Sequence, residues 1–346
     1  MKCAKLLMKT EKESLKLTEN KAFRLITEKI KKSKKVLLIG HRSPDLDCVG
    51  SLVSFFYVLK SREKDVRVLS DFKHSAWTNF NNPEISRKVS REFNPDLVIM
   101  VDYSNRDVLE LGALKFLEKQ NAFIITIDHH KKHSQLGDLI YIDDSIHSCC
   151  EILSRLFFSM KVDLTEKTRT ALLTGMLHDT GIFAYYPLTL KSMRTIIRLN
   201  KTGEEFQKAS LLSRSWNRVD DFVRFSKYAT LMKIDRSLGF GLVVINNLVG
   251  DTGSLTSSIS NQSIFIREIK SILVLKKIKG QRFFRASIRS SEESGIDVSK
   301  IAAFFNGGGH KKAAGFQSSM SSVKIIAKVK ELIWEQIKNS KGKIQK

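Results

Sequence analysis

Three apolar runs in the first 130 residues are each followed by aspartate or histidine, and they constrain the fold more than any other feature of the chain. They cover residues 36–40, 97–101 and 123–127. Nearly continuous apolar runs of this length are typical of parallel strands that are buried on both faces. The carboxyl ends of parallel strands meet at one edge of a sheet, where open α/β sheets bind their ligands. The runs therefore predict an α/β fold with a site at that edge.

The polar segments after these runs carry the candidate site. Taken singly, each residue has a structural alternative, such as a helix N-cap for Asp102 or a satisfied core imidazole for His129. Packed together, carboxylates and imidazoles are costly unless a hard or borderline divalent cation lies between them. Their convergence therefore favours a metal centre, to which Asp179 at the end of a later predicted helix contributes. The residues that the strand ends supply are His41, Asp45, Asp47, Asp102, His129 and His130.

Composition sets bounds on the class of protein. The 346 residues are enough for two domains, and the formal net charge of +23 favours polyanionic partners such as nucleotides or nucleic acid. A lysine-rich composition without any nucleic-acid role would give the same charge. The four cysteines form no C-x-x-C pair. No apolar stretch approaches the ~20 residues of a membrane span, so we expect a soluble, cytoplasmic protein with no membrane partner.

A glycine run is the most informative segment of the second half of the chain. Residues 307–309 are glycines, and a histidine and two lysines follow them. Consecutive glycines let backbone amides approach a ligand, and a helix predicted after them would direct its positive end at a phosphate. A glycine run alone is also typical of a flexible turn. The adjacent basic residues favour anion binding.

Together these segments resemble one family, the stand-alone DHH/DHHA1 phosphoesterases, a group of nanoRNases, pAp phosphatases and cyclic-di-AMP phosphodiesterases. The resemblance covers nearly the whole chain in the family's order. The matching motifs are H-x-x-P-D-x-D-x-x-G-S at 41–51, V-D at 101–102, D-H-H at 128–130, D-T-G at 179–181 and G-G-G-H-x-x-A-A-G at 307–315.

The resemblance implies a two-domain α/β fold with an active-site cleft between the domains. The larger domain would have a parallel sheet, and the smaller a mixed sheet. The predicted domains are a DHH phosphoesterase domain at 1–187, a helical linker at 188–235 and a DHHA1 substrate-binding domain at 236–346.

The resemblance also implies a centre of two Mn²⁺ ions, with Asp102 bridging them and a hydroxide poised between them for in-line attack. His130 would act on the substrate phosphate. Asn306 replaces a fourth glycine that many relatives have, which bears on substrate detail. Carried over by position, the ligands of one ion are His41, Asp45 and Asp102, and those of the other are Asp47, Asp102, His129 and Asp179. The substrate contacts carried over are Arg289, Ser290, Gly308, Gly309 and His310.

The leading hypothesis is a Mn-dependent phosphodiesterase that hydrolyses cyclic-di-AMP, linear pApA and nanoRNA to 5′-mononucleotides. The alternatives are a 3′-phosphoadenosine 5′-phosphate phosphatase and a non-catalytic, basic nucleic-acid-binding protein with a vestigial site. A soluble inorganic pyrophosphatase shares the motifs of the first domain, but the glycine run with His310 favours the nucleotide enzymes. The sequence leaves the oligomeric state open, with a homodimer among the options.

Overall fold

The computed structural model describes residues 17–41, 44–70, 77, 92–103, 121–130, 136–183, 188–214, 219–249 and 255–341. The chain forms two compact units, residues 1–215 and 216–346, and each contains its own β-sheet. The boundary falls within the segment predicted as a helical linker. Among the described helices, none has the length and apolarity needed to cross a membrane.

The first unit is built on a parallel five-stranded sheet in the order β2-β1-β3-β4-β5, and the three apolar runs form β1, β3 and β4, as predicted. The strands are β1 (Lys35–Ile39), β2 (Asp65–Leu69), β3 (Leu97–Val101), β4 (Phe123–Asp128) and β5 (Leu139–Ile142). The described helices of this unit are α1 (Glu19–Lys32), α2 (Leu46–Lys60), α3 (Cys149–Ser159), α4 (Glu166–Asp179), α5 (Leu190–Leu199) and α6 (Glu204–Arg214).

Strand register brings the ends of β1, β3 and β4 to one level. Ile39 pairs with Met100, and Val101 pairs with Ile127. The residues that follow these strands therefore share one edge of the sheet. Helix α2 starts beside that edge and is buried along most of its length, against α4. The absence of a side chain at Gly175 permits close packing there, because a Cβ at this position would lie 2.7 Å from Asp47 Oδ1.

The second unit contains a mixed six-stranded sheet in the order β10-β11-β9-β8-β7-β6, in which only the β7–β8 pairing is parallel among the described strands. The strands are β6 (Lys233–Asp235), β7 (Phe240–Leu248), β8 (Ser271–Ile278), β9 (Phe284–Ser290), β10 (Gly308–Gly309) and β11 (Ala313–Ser318). The described helices are α7 (Val219–Ala229), α8 (Leu255–Ser263), α9 (Val298–Phe304) and α10 (Ser322–Lys341). A parallel sheet in the larger unit and a mixed sheet in the smaller unit confirm the predicted fold class.

The prediction of a helix after the glycine run is wrong, because a strand follows the glycines. The strands β10 and β11 form a hairpin closed by His310 and Ala313, whose N–H groups donate to each other's carbonyl oxygens at 2.7 and 3.2 Å. Strand β11 also pairs along its length with β9. A Cβ at Gly307 would lie 2.3 Å from the Gly315 carbonyl oxygen. Close backbone pairing in the hairpin therefore accounts for the glycine there, and no helix N-terminus is involved.

Candidate metal centre

Asp102 lies at the centre of the predicted ligands. Its Oδ2 atom is 3.6 Å from His41 Nε2, and its Oδ1 atom is 3.4 Å from His129 Nε2. The side chain is 2% exposed, and Oδ1 has no hydrogen-bond partner among the described residues. The φ angle of 54° is in the left-handed region, which costs about 1–3 kcal/mol for a residue other than glycine. The strained backbone thus holds a buried carboxylate between two imidazoles.

A second group of candidate ligand atoms surrounds His129, which β4 delivers to the sheet edge. The Nε2 atom of His129 lies 3.3 Å from Asp179 Oδ2 and 3.7 Å from Asp47 Oδ2. One ligand atom from each of these three residues lies within 4.8 Å of the other two. The last residue of α4 and the first turn of α2 supply the two carboxylates. The structure therefore brings together residues that are 132 positions apart in sequence.

The start of helix α3 holds the Asp47 carboxylate in place. The hydroxyl of Ser148 donates to Oδ1 at 2.7 Å, and the backbone N–H groups of Cys149 and Cys150 donate to Oδ2 and Oδ1 at 2.6 and 3.0 Å. The N-terminal dipole of a helix favours an ionised carboxylate. Sequence reasoning missed these contacts, because only tertiary packing brings Ser148 to Asp47. The available signal was Ser148 as an N-cap before an apolar helix.

Asp45 has two roles in the structure. Its Oδ1 atom accepts hydrogen bonds from the backbone N–H groups of Asp47 and Cys48, both at 3.0 Å, so it caps α2. The same oxygen lies 3.9 Å from His41 Nε2. Its interaction with His41 outweighs the effect of burial and lowers the pKa of Asp45 to about 2. The residue is therefore an ionised carboxylate beside the predicted ligand His41.

His130 is held by Asp128, a residue whose role sequence reasoning missed. Asp128 Oδ1 lies 2.7 Å from His130 Nδ1 and also accepts from the backbone N–H of His129 at 2.8 Å. Because a carboxylate only accepts hydrogen bonds, this contact places a proton on Nδ1 of His130. The His130 side chain is 27% exposed, whereas Asp128 is fully buried. His130 thus combines a fixed ring orientation with access from solvent.

Two further side chains lie within reach of the predicted ligands. A ligand atom of His178 lies within 4.8 Å of ligand atoms of Asp45 and Asp179, and the thiol of Cys48 stands in the same relation to His41 and Asp102. Both residues are adjacent in sequence to a predicted ligand. That adjacency was the signal that could have brought them into the candidate site. Burial raises the pKa of Cys48 to about 11, so its thiol is protonated at neutral pH.

The electrostatics of the cluster fit a divalent metal ion. Burial, together with two neighbouring aspartates, raises the pKa of Asp179 well above its ordinary value. Burial acts in the same direction on Asp102, but His129 and His41 hold its pKa well below the ordinary value. A divalent cation would let all these carboxylates ionise together and would give Asp102 Oδ1 the partner it lacks. Mixed carboxylate and imidazole donors suit Mn²⁺ or a similar ion.

The predicted substrate contacts all lie in the second unit. Arg289 and Ser290 are in β9, Gly308 and Gly309 form β10, and His310 begins the hairpin turn. The Arg289 guanidinium donates to Asn261 Oδ1 at 2.8 Å from Nε. Ser290 is 4% exposed, and its hydroxyl donates to the Ile296 carbonyl oxygen at 2.8 Å. The role of these residues in substrate binding stays a prediction.

Comparisons with known proteins bear on the family. Residues 35–176 match the DHH family, N-terminal domain, which confirms the predicted resemblance for that part of the chain. The chain is 25% identical over 307 residues to the probable bifunctional oligoribonuclease and PAP phosphatase NrnA of Streptococcus mutans, over 86% of this chain and 94% of that protein. It is 26% identical over 293 residues to the bifunctional oligoribonuclease and PAP phosphatase NrnA of Thermus thermophilus, over 84% and 87% of the two chains.

A solved structure shares the fold of nearly the whole chain. It is an exopolyphosphatase-related protein from Bacteroides fragilis, with a TM-score of 0.79 and 18% sequence identity. The likeness covers 94% of this chain and 100% of that one. At this level of identity, it shows a common fold.

Proposed function

The chain carries a DHH family N-terminal domain, and from this premise we propose that the protein is a Mn²⁺-dependent phosphoesterase that hydrolyses short nucleotides to 5′-mononucleotides. One observation carries the proposal. The buried Asp102 carboxylate presents one oxygen to His41 and the other to His129, each within 3.6 Å. A carboxylate in this position is suited to bridge two cations. In this proposal, His41, Asp45 and Asp102 hold one ion, and Asp47, Asp102, His129 and Asp179 hold the other.

The substrate class rests on the named relatives. Two of them, each matched over more than four fifths of both chains, are named as oligoribonuclease and PAP phosphatase. We therefore expect linear dinucleotides such as pApA and other nanoRNA to be the preferred substrates, with cyclic-di-AMP also hydrolysed. The same names favour 3′-phosphoadenosine 5′-phosphate as a second candidate substrate.

The residues of the centre have separate parts in the proposed reaction. When bound, two divalent ions supply positive charge to a phosphoryl group and lower the pKa of a water molecule. His130 is proposed to bind a phosphate oxygen through Nε2, because Asp128 occupies its Nδ1 atom. Burial lowers the pKa of His130, but the Asp128 and Asp102 carboxylates raise it above the ordinary value overall. When Nε2 carries a proton, it would donate a charge-assisted hydrogen bond to the substrate.

The second unit is proposed to bind the part of the nucleotide that does not react. The proposed contacts are Arg289, Ser290, Gly308, Gly309 and His310. Arg289 offers a guanidinium that Asn261 holds in one orientation. Its Nε and Nη1 atoms donate to Asn261, Ser287 and backbone carbonyl oxygens, so the proposed contact with a phosphate is a charge-assisted hydrogen bond from Nη2.

A competition experiment tests the substrate class. Purified protein with Mn²⁺ is given cyclic-di-AMP, pApA, pAp and a long single strand together, and the products are separated by chromatography at two salt concentrations. We expect pApA to be consumed first, with AMP as its product. Preferred digestion of the long strand would contradict the proposal, and a marked preference for pAp would establish the second candidate. Undiminished turnover in excess chelator would contradict the role of the metal.

A further inference from the structure

A cavity of about 340 Å³ lies in the first unit between α1, α3 and α5. None of the predicted metal ligands lines it. Arg155, one of its lining residues, is six residues beyond Cys149, whose backbone N–H binds Asp47. Six residues correspond to about 9 Å along a helix. The cavity, which we call the α3–α5 cavity, is therefore distinct from the metal centre, and its volume falls in the range of small-molecule sites, about 300–1,000 Å³.

The lining of this cavity carries an excess of positive charge. Four cationic side chains, of Arg155, Lys191, Arg194 and Arg198, face the single carboxylate of Glu19. Two of the four share that carboxylate, since Arg155 Nε donates to its Oε1 atom at 3.1 Å and Lys191 Nζ to its Oε2 atom at 3.0 Å. The lining thus keeps three positive charges that no lining carboxylate balances.

The most buried of these cations is incompletely satisfied. The Arg155 side chain is 8% exposed, and its Nη1 atom has no hydrogen-bond partner in the part of the chain that the structure describes. Burial lowers the pKa of Arg155 to about 10. Burial, and then repulsion from Arg155, lowers the pKa of Lys191 as well. Both shifts mean that the cations are destabilised where they are, so an added anion would stabilise the group.

Two helices start at the cavity, and their positive ends are opposed by the C-terminal end of α3, whose last residue, Ser159, is part of the lining. Glu19 is the first residue of α1, and Lys191 is the second residue of α5, so both helices begin at the cavity. The N-terminal end of a helix carries a partial positive charge. Thr18, the N-cap of α1, makes no capping hydrogen bond through its side chain. Further along α5, the Arg198 guanidinium packs 3.7 Å from the centre of the Phe158 ring, which restricts its orientation.

We propose that the α3–α5 cavity binds a phosphate dianion, either free inorganic phosphate or the phosphate group of a mononucleotide. Arginine side chains recognise phosphate through paired hydrogen bonds, and a dianion offsets most of the three unbalanced charges. A neutral nucleoside lacks the group that the lining recognises. The proposal does not depend on the metal centre, because no residue is shared between the two sites.

Calorimetric titration of the Mn²⁺-loaded full chain with inorganic phosphate, AMP and adenosine tests this proposal. We expect phosphate and AMP to bind at the cavity and adenosine to give no binding there. Equal affinities for phosphate and AMP would assign the site to the phosphate group alone, and tighter AMP binding would assign it to a mononucleotide. Binding of adenosine as tight as that of AMP would overturn the proposal.

Paired variants locate the binding. The double variant Lys191→Gln/Arg194→Gln removes two exposed cations of the lining. It should weaken phosphate binding at the α3–α5 cavity at least about tenfold, because the loss of a hydrogen bond to a charged group lowers affinity by about that factor or more. The control variant Lys32→Gln/Lys60→Gln removes the same charge from exposed positions outside the cavity. It should leave phosphate binding at the cavity and at the metal centre unchanged. Identical phosphate binding by the two double variants would overturn the proposal.

The kcat of the cavity variant Lys191→Gln/Arg194→Gln shows whether this site is separate from the metal centre. At saturating dinucleotide, the cavity variant should keep the kcat of the wild type, because neither substituted residue belongs to the proposed catalytic group. A loss of phosphate binding that is accompanied by an equal loss of kcat and of bound Mn²⁺ would assign the effect to the metal centre and overturn a separate site.

Discussion

The sheets of the two units place polar residues by different means. In the first unit, parallel strands end at one level, so His41, Asp102 and His129 meet although they are far apart in sequence. In the second unit, the glycine run lies in an edge hairpin whose position depends on pairing with β9. In a parallel sheet, residues that directly follow neighbouring strands therefore lie close together. In a mixed sheet, the position of a residue depends on which strand its own strand pairs with. The predictions below test this difference in order of expected effect.

The largest effect is expected from Asp102→Asn in the first unit. Asparagine tolerates the left-handed backbone at this position, so the fold should be kept. Activity should fall further than it does on substitution of residues that only contact metal ligands, which typically costs about 10–100-fold. The matched control is Asp163→Asn, since this carboxylate is 95% exposed. Steady-state kinetics with circular dichroism measures both, and equal activity of the two variants would refute the central role of Asp102.

Substitution of Gly309 in the glycine hairpin, formed by β10 and β11, should lower the stability of the second unit alone. Gly309 has a φ of 136°, and a Cβ there would lie 2.5 Å from the Ala313 carbonyl oxygen. Gly309→Ala should therefore lower the free energy of unfolding by about 1–3 kcal/mol. Gly308→Ala is the control, because a Cβ at that position meets nothing within 4 Å, and its effect should stay within about 0.5 kcal/mol.

Urea unfolding measures the stability of these glycine variants, and Mn²⁺ titration monitors the first unit. Metal affinity should be unchanged in both. Equal stability of Gly308→Ala and Gly309→Ala would contradict the hairpin account, and lost metal binding in either would contradict the independence of the metal centre.

A smaller effect is expected from His310→Ala, at the hairpin turn. If His310 binds substrate, its loss should lower kcat/KM for pApA about tenfold to a hundredfold, because one hydrogen bond to a charged group is lost. Hydrolysis of bis(p-nitrophenyl) phosphate should suffer less, and the bound Mn²⁺ should be unchanged. Lys311→Ala provides a neighbouring control. A fall in Mn²⁺ content would show that the glycine hairpin has been assigned the wrong role.

The smallest effect on activity is expected at Glu205, whose substitution tests acid stability. The buried Glu205 carboxylate of the first unit accepts from Arg169 Nε at 2.9 Å and from Thr202 N–H at 3.0 Å, and its pKa is lowered to about 2. Because the folded pKa is depressed, this stabilisation is present above the unfolded pKa of about 4.3 and is lost as the pH falls to about 2. Glu205→Gln should therefore be less stable than the wild type at pH 7 and converge with it at low pH.

The second unit supplies the control for that titration. Asp235 is paired with Lys330 at 2.7 Å, and its side chain is 28% exposed, so Asp235→Asn should change the pH dependence of unfolding less than Glu205→Gln. Thermal unfolding followed by circular dichroism between pH 2 and 7 compares the variants. A larger effect of Asp235→Asn would reverse the expected order.

The comparison of the two sheets also explains what the sequence could predict. Strands β1, β3 and β4 and the proximity of Asp47, Asp102 and His129 follow from apolar runs and parallel topology, whereas β5 was not predicted. The contacts of Asp47 with Ser148 and the start of α3 depend on tertiary packing and carry no local signal beyond an N-cap. The glycine run was assigned to a helix start because its local composition suits both a helix start and a hairpin. Only its pairing with β9 distinguishes them.

Electron paramagnetic resonance of the Mn²⁺-loaded protein, with metal content measured in parallel, tests most directly whether Asp102 joins two metal ions. The account predicts two Mn²⁺ ions per chain with a spin-coupled spectrum in the wild type, and loss of that coupling in Asp102→Asn. One ion per chain, or two ions with the separate spectra of isolated Mn²⁺, would contradict a shared carboxylate at the centre of the site.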